Sequence, residues 1–170
     1  MQKENFSVSD MEYYKVYIQK EGGALKETIA DFGLYCQTIP FHVGRSIKEL
    51  PKRSWFDEHG DDEYVPDTLM VDAYDLDVTF IYKGSKYSAN TIVSAFISYI
   101  TGADNSGTVF SIYDSYTGIG RQKCRVMEVA EKAQIYRVDD SEMAGEGDIL
   151  QFSVKVKVND PVTNWVPNLS

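Results

Sequence analysis

A chain of 170 residues, 43% of them hydrophobic, holds enough apolar material for the core of one domain. Its 26 acidic and 17 basic side chains leave a formal net charge of −9. This argues against a general nucleic-acid binder, because such a protein needs a basic face to neutralise phosphates. The two cysteines, Cys36 and Cys124, lie far apart and outside any CxxC pair, so we expect no disulfide framework.

The beginning of the chain is polar and predicts a flexible N-terminus, residues 1–10, without the apolar run of a signal peptide. No apolar run elsewhere approaches the roughly 20 residues that span a bilayer. We therefore expect a protein that is made and kept in a cytosol-like compartment, or in a particle assembled there, with no membrane contact.

Strands are predicted through most of the first half. Residues 13–18 and 77–82 alternate between apolar and polar side chains with a period of two, which puts one face of a strand in a core. Residues 24–39 predict one or two more strands, with Gly33 as a bulge or bend. Between residues 39 and 77, the stretch 51–67 is predicted as a long acidic loop. Loops of this length are usually functional or ordered by a partner.

One helix interrupts the strands. Ser88 or Asn90 is suited to cap its first turn and Gly102 to end it. Residues 88–100 carry apolar side chains at helical spacing, which predicts an amphipathic helix of about three turns lying on a sheet. These apolar residues are Ile92, Val93, Phe96, Ile97, Tyr99 and Ile100.

Strands return after the helix. Residues 109–113, 121–129, 132–138 and 149–158 have strand patterns, the last with ten alternating residues. Residues 118–121 are read as a β-turn and 139–148 as an acidic hairpin tip. The tail, residues 159–170, holds Pro161 and Pro167 and is predicted as a C-terminal arm whose Trp165 buries its ring on a neighbouring subunit.

These elements predict a mainly β (α+β) fold over residues 1–170. We expect an antiparallel β-sandwich or barrel flanked by one α-helix, with the long loop in the first half. An open sheet has edges that must be covered or paired, and association with copies of the same chain does this.

No catalytic, cofactor-binding or metal-binding residues are predicted. The acidic loop contains several carboxylates and His59, but their order does not match a calcium-binding loop. The other histidine, His42, lies in no recognisable catalytic motif, and no glycine-rich turn opens a helix as a nucleotide site requires. The sequence therefore favours a protein that is not an enzyme and has no cofactor.

The acidic loop and the tail are instead the predicted interface. Lys52 and Arg53 are expected to pair with the acidic cluster of an adjacent copy, and such pairs set register and partner choice. The interface candidates are Lys52, Arg53, Trp55, Asp57, His59, Asp61, Asp62 and Trp165.

The layout of residues 13–158 resembles the tail-tube fold of bacteriophages. The resemblance is carried by residues 77–82 leading into the helix 88–100, then 109–113, the turn 118–121 and the strand 121–129, together with the stretch 55–62. It implies homo-oligomeric rings, commonly hexamers, whose strands join around a DNA channel with an electronegative lumen. The net charge of −9 is compatible with such a lumen.

The same resemblance implies a place in the virion tail, assembled in the host bacterial cytoplasm from phage or prophage genes. Its implied partners are copies of itself and other tail proteins, with DNA passing non-specifically at most. Many distal tail proteins carry a further C-terminal domain, for which this chain shows no sequence. The roles of tube, distal tail, terminator and head–tail joining protein therefore stay open.

Two alternatives belong to other functional classes. A small-ligand or carbohydrate-binding β-sandwich would use Trp55, Tyr64 and Tyr116 as an aromatic platform. An enzyme would use carboxylates or a bound metal near residues 57–63, and would need a concave pocket with perturbed carboxylates.

Overall fold

The computed structural model describes residues 15–41, 44–82, 88–130, 134–136 and 149–170, without the side chains of 134–136 and 149. In chain order the described elements are β1 Val16–Lys20, β2 Lys26–Glu27, α1 Thr28–Phe32, β3 Leu34–Thr38, β4 Lys52–Ser54, β5 Asp61–Glu63, β6 Tyr74–Tyr82, α2 Ala89–Thr101, β7 Phe110–Asp114, β8 Ile119–Val129, β9 Gln134–Tyr136 and β10 Ile149–Asp160.

One antiparallel sheet holds most of these strands. Its order is β2-β1-β7-β8-β10-β6-β3, with β9 paired to β10, whereas β4 and β5 pair only with each other. The prediction of a mainly β, antiparallel fold is confirmed, and the sheet is curled into a half-barrel. The strand predicted at 149–158 is β10, which runs on to Asp160.

The curl follows from how the chain joins the two ends of the sheet. The edge strands β2 and β3 are connected only by residues 28–33. A helix rises about 1.5 Å per residue, so this connection spans roughly 10 Å, and the two edges must lie close to each other. A flat sheet of this many strands would hold them several times farther apart, since neighbouring strands are about 4.8 Å apart.

This connection corrects two predictions. The sequence predicts one helix, but residues 28–32 form a second, short one, α1. Gly33 is not a bulge within a strand; it ends α1 at a left-handed φ of 61°, with its N–H donating to the carbonyl of Ile29 at 2.9 Å. Glycine adopts this conformation without the steric cost that a side chain brings.

Other predicted elements match in place but differ at their ends. The helix predicted at 88–100 is α2, with Gly102 ending it at φ 78° and Ser88 at its N-cap without a side-chain cap bond. Strands 77–82, 109–113 and 121–129 correspond to β6, β7 and β8. Residues 1–10, 13–14 and 139–148 lie outside the described residues. Of the strand predicted at 132–138, only residues 134–136 are described, and they form β9.

The core lies on the concave face of the sheet, beneath α2. Phe96 of α2 is completely buried, and its ring centroid lies 5.1 Å from Phe80 on β6, 5.1 Å from Phe32 on α1 and 6.2 Å from Phe152 on β10. Edge-to-face contacts at these distances add to the hydrophobic burial of the rings. One side chain therefore joins both helices to the middle of the sheet.

A buried cation fixes the end of α2. Lys20, at the end of β1, is 3% exposed; its Nζ donates to the carbonyls of Tyr99 and Gly107 and, at 2.9 Å, to the hydroxyl of Ser106. The last carbonyls of a helix have no intrahelical donor and carry a partial negative charge. Lys20 supplies that donor and charge, so it links β1 to the helix terminus.

Replacing Phe96 tests this arrangement. Because the ring is enclosed on several sides, Phe96→Ala leaves a cavity, and we expect it to lower the free energy of unfolding by about 3–5 kcal/mol. Chemical denaturation of the two proteins measures the difference. Ser94→Ala, on the exposed side of α2, is the matched control and should change stability by less than about 0.5 kcal/mol. A loss for Phe96→Ala no larger than the control's would contradict this account of the core.

Candidate functional site

Residues 44–73, called the arm below, leave the sheet after β3 and return to it at β6 as a two-stranded ribbon. Near its root the N–H of Asp72 donates to the carbonyl of Ser46 at 2.8 Å, and that of Lys48 to Met70 at 2.9 Å. Farther out, β4 and β5 pair in antiparallel register. At about 3.3 Å per extended residue, the side from 46 to 54 spans at most roughly 30 Å. The sequence predicts a loop at 51–67, and the structure places the outer half of a ribbon there.

The arm displays large apolar side chains to solvent. Phe56, at the turn of the hairpin, is fully exposed, and more than half of the surface of Tyr64, Val65 and Met70 is exposed. The full set is Ile47, Trp55, Phe56, Tyr64, Val65, Leu69 and Met70. Single apolar residues on a surface are ordinary, but seven along one extended segment make the arm a candidate binding surface.

The charged candidates are paired within the arm. The register sets Lys52 opposite Glu63, Arg53 opposite Asp62 and Ser54 opposite Asp61, and Lys52 Nζ lies 3.7 Å from the Asp61 carboxylate. Opposite charges across a hairpin stabilise it by about 0.2–1 kcal/mol per pair. The acidic partners predicted to come from an adjacent copy therefore face Lys52 and Arg53 in the same chain.

The structure brings seven of the eight predicted interface residues together on the arm. Asp57 and His59 lie in its terminal turn beside Trp55 and Phe56, where the N–H of Glu58 donates to the carbonyl of Trp55 at 3.4 Å. Phe56 is absent from the sequence-based set, although its position between Trp55 and an acidic run was a usable signal. The eighth residue, Trp165, belongs to the tail.

The tail lies on its own chain. The N–H of Trp165 donates to the carbonyl of Gly120 at 3.2 Å, and the side-chain oxygen of Asn164 accepts from the N–H of Gly120 at 2.9 Å. Trp165 is half-buried and lines a cleft of about 430 Å³ with Val109 and Phe110. The sequence predicts that Trp165 buries its ring on a neighbouring subunit. In the single chain, Trp165 already contacts residues of its own chain.

The root of the arm is held by a buried cation that the sequence analysis missed. Arg121 on β8 is 9% exposed; its Nε donates to the hydroxyl of Tyr74 at 3.2 Å, and its guanidinium lies 6.0 Å from the ring centroid of Phe41. Phe41 precedes the arm and Tyr74 follows it. Arg121 therefore contacts the chain on both sides of the arm.

The tail turns back at Asp160. This carboxylate accepts from the side-chain amide of Gln122 at 2.7 Å and from the N–H groups of Val162 and Thr163 at 3.2 and 3.1 Å. Burial by itself would raise the pKa of Asp160, but these hydrogen bonds outweigh it and bring the pKa down to about 2. The ionised carboxylate therefore stabilises the turn at neutral pH.

The residues named for the two alternatives lie in different parts of the described structure. Among them, no group of three or more His, Cys, Asp or Glu side chains is placed to hold a metal ion. Trp55 and Tyr64 lie on the arm, whereas Tyr116 lies in the turn between β7 and β8. Neither described helix is long and apolar enough to cross a membrane.

Comparison with solved structures shows a likeness of fold. No protein family model and no curated protein matches the chain. The solved structure of the Dit protein of phage SPP1 matches with a TM-score of 0.51 and 15% identity, over 86% of this chain and 50% of that one. That protein is described as a paradigm of the hub adsorption apparatus of phages infecting Gram-positive bacteria. The chain thus spans half the length of this structural neighbour, and the resemblance to a phage tail-type fold is supported in part.

The lowered pKa of Asp160 predicts a pH dependence. Because the pKa falls from an ordinary 3.8 to about 2, the carboxylate contributes stability above pH 4 that is lost as the pH falls towards 2. Asp160→Asn lacks this charge, so we expect it to be less stable than the parent at pH 6 and to converge with it by pH 2. Urea unfolding of both at pH 6, 3 and 2 measures this. A difference that stays constant across the range would contradict the role of the ionised carboxylate.

Proposed function

We propose that this protein is a structural component of a phage tail that assembles with copies of itself into a ring, with the arm as its main contact. The observation that carries the proposal is the set of seven exposed apolar side chains along the arm. Burying one large apolar side chain contributes about 1.5–3 kcal/mol, so an uncovered ribbon of this kind gains much free energy from a second surface.

The geometry of the arm supports a contact between chains. Its strands β4 and β5 pair with each other and not with the large sheet, so the outer part of the ribbon is separate from the sheet. Lys52 and Asp61 form an ion pair within the arm, so docking need not leave these two charges unpaired. In this proposal the apolar residues provide the affinity, and the charged residues help to set the shape of the hairpin.

The fold supports the choice of particle. The hub protein of phage SPP1 shares this fold over half its length. The proposed partners are copies of this chain and other tail proteins, in a virion tail assembled in the host bacterium. The proposed role is structural and not catalytic.

We further propose that DNA passes along the ring without being bound. The charges on the face of the sheet opposite the core support this. On this face Lys155 lies between Asp77 and Glu128 of the neighbouring strands. One row along, Lys157 lies between Asp75 and Arg125. Positive and negative side chains are thus balanced there, and the chain as a whole carries −9. A surface of this charge does not hold a polyanion, which suits a channel through which DNA passes.

The test is assembly of an arm variant. Phe56→Ser removes the most exposed ring without a folded-state contact to lose, so we expect normal stability but weaker association. If Phe56 is an anchor of the contact, its loss costs about 2 kcal/mol or more, roughly a 30-fold higher dissociation constant per contact. Sedimentation velocity over a concentration series, with electron microscopy of the product, measures both size and shape.

Tyr116→Ser is the matched control, since Tyr116 is 70% exposed but lies off the arm. It should leave association unchanged. A parent protein that stays monomeric at all concentrations, or equal association of Phe56→Ser and the parent, would count against the proposed function.

A further inference from the structure

The tail and the root of the arm meet at one carbonyl group. The oxygen of Gly120 accepts from the N–H of Trp165 in the tail at 3.2 Å. The same oxygen accepts from Nη1 of Arg121 at 2.9 Å, and Arg121 holds Tyr74 at the root of the arm. One backbone acceptor therefore joins the tail to the cation that fixes the arm.

A small cavity lies between the same two parts. Pro161, the first residue after β10, lines a small cavity of about 30 Å³ together with Arg45, Asp72 and Tyr74. Arg45 and Asp72 belong to the two sides of the arm at its root. The tail and both sides of the arm therefore line the same small cavity, at the place where the arm leaves the sheet.

The approach of the tail to β8 leaves no room for a side chain at position 120. A Cβ atom on Gly120 would lie 1.7 Å from the carbonyl oxygen of Trp165, closer than any non-bonded contact allows. The conflict is with backbone and not with a flexible side-chain end, so rotation of a side chain does not relieve it. Even a methyl group at position 120 displaces the tail.

We infer that the C-terminal tail is a latch that sets the direction of the arm, and so controls how readily the arm docks. With the tail in place, Pro161 and the Gly120–Arg121 contact hold the root in one orientation. With the tail displaced, Pro161 leaves the root and the carbonyl of Gly120 loses the N–H of Trp165, so the arm samples more directions. A preorganised arm binds more tightly because less conformational freedom is lost on docking. This inference rests on the proposed function for its consequence in assembly, but the latch itself is measurable without assembly.

Gly120→Ala tests the latch in dilute, monomeric protein. Release of the tail is followed by the fluorescence of Trp165 in a Trp55→Phe background, which leaves one tryptophan. Hydrogen exchange reports on the root through the amides of Lys48 and Asp72, both of which are hydrogen-bonded across the arm. We expect at least tenfold faster exchange at these two amides and unchanged exchange at the amides of β10 that pair with β6.

Two further variants make the result specific. Val162→Ala changes an exposed tail side chain that lies outside the latch contacts and should leave exchange unchanged. Deletion of residues 161–170 should accelerate exchange at the root as much as Gly120→Ala does. In the deleted chain, Gly120→Ala should add nothing, because the atom it collides with is gone.

The outcomes separate the latch from the proposed function. A released tail with unchanged exchange at Lys48 and Asp72, in either Gly120→Ala or the deletion, overturns the latch. If Gly120→Ala also accelerates exchange in β10, only the deletion is used, and unchanged exchange at Lys48 and Asp72 in the deleted chain overturns the latch. Faster exchange at the root in a protein that never associates would support the latch and contradict the proposed ring. Weaker association of the latch variants would support both.

Discussion

The fold depends on one constraint, the short connection of residues 28–33 between the two edges of the sheet. This connection draws β2 and β3 towards each other, so the sheet curls and its apolar face becomes an interior. A curled sheet of this width encloses more space than its own side chains fill, and α2 occupies it with Phe96 at the centre. The buried Lys20 then holds the end of α2 against β1.

The chain divides its apolar residues between two tasks. Those on the sheet and α2 form a closed cluster around Phe80, Phe96 and Phe152. Those on the arm remain exposed in the single chain, on a ribbon stabilised by its own hydrogen bonds and by pairs such as Lys52 and Asp61. These exposed apolar side chains are accessible to another molecule. Cross-strand charge pairs thus keep the hairpin ordered while the rings stay exposed.

The arm and the tail are connected through β8 and not through the sequence that separates them. Gly120 and Arg121 are adjacent on this strand; Gly120 receives the tail and Arg121 the root of the arm. A change at the C-terminal end is thereby transmitted over a few ångströms to a segment about ninety residues earlier in the chain. The likeness to the SPP1 hub protein covers half of that protein and is a likeness of fold.

The sequence by itself determined the elements that have one buried and one exposed face. The alternation of Phe152, Val154 and Val156 and the helical spacing around Phe96 report such faces directly, because burial of one side imposes a period on the residues. Where both faces are exposed, as in the arm, no period arises, and the sequence predicts a loop instead of a ribbon. The five residues of α1 are too few to show a period. Only the tertiary structure decided that Arg121 points inward and that Gly120 lies beneath the tail, since both follow from contacts between segments far apart in the chain, which no local pattern of residues encodes.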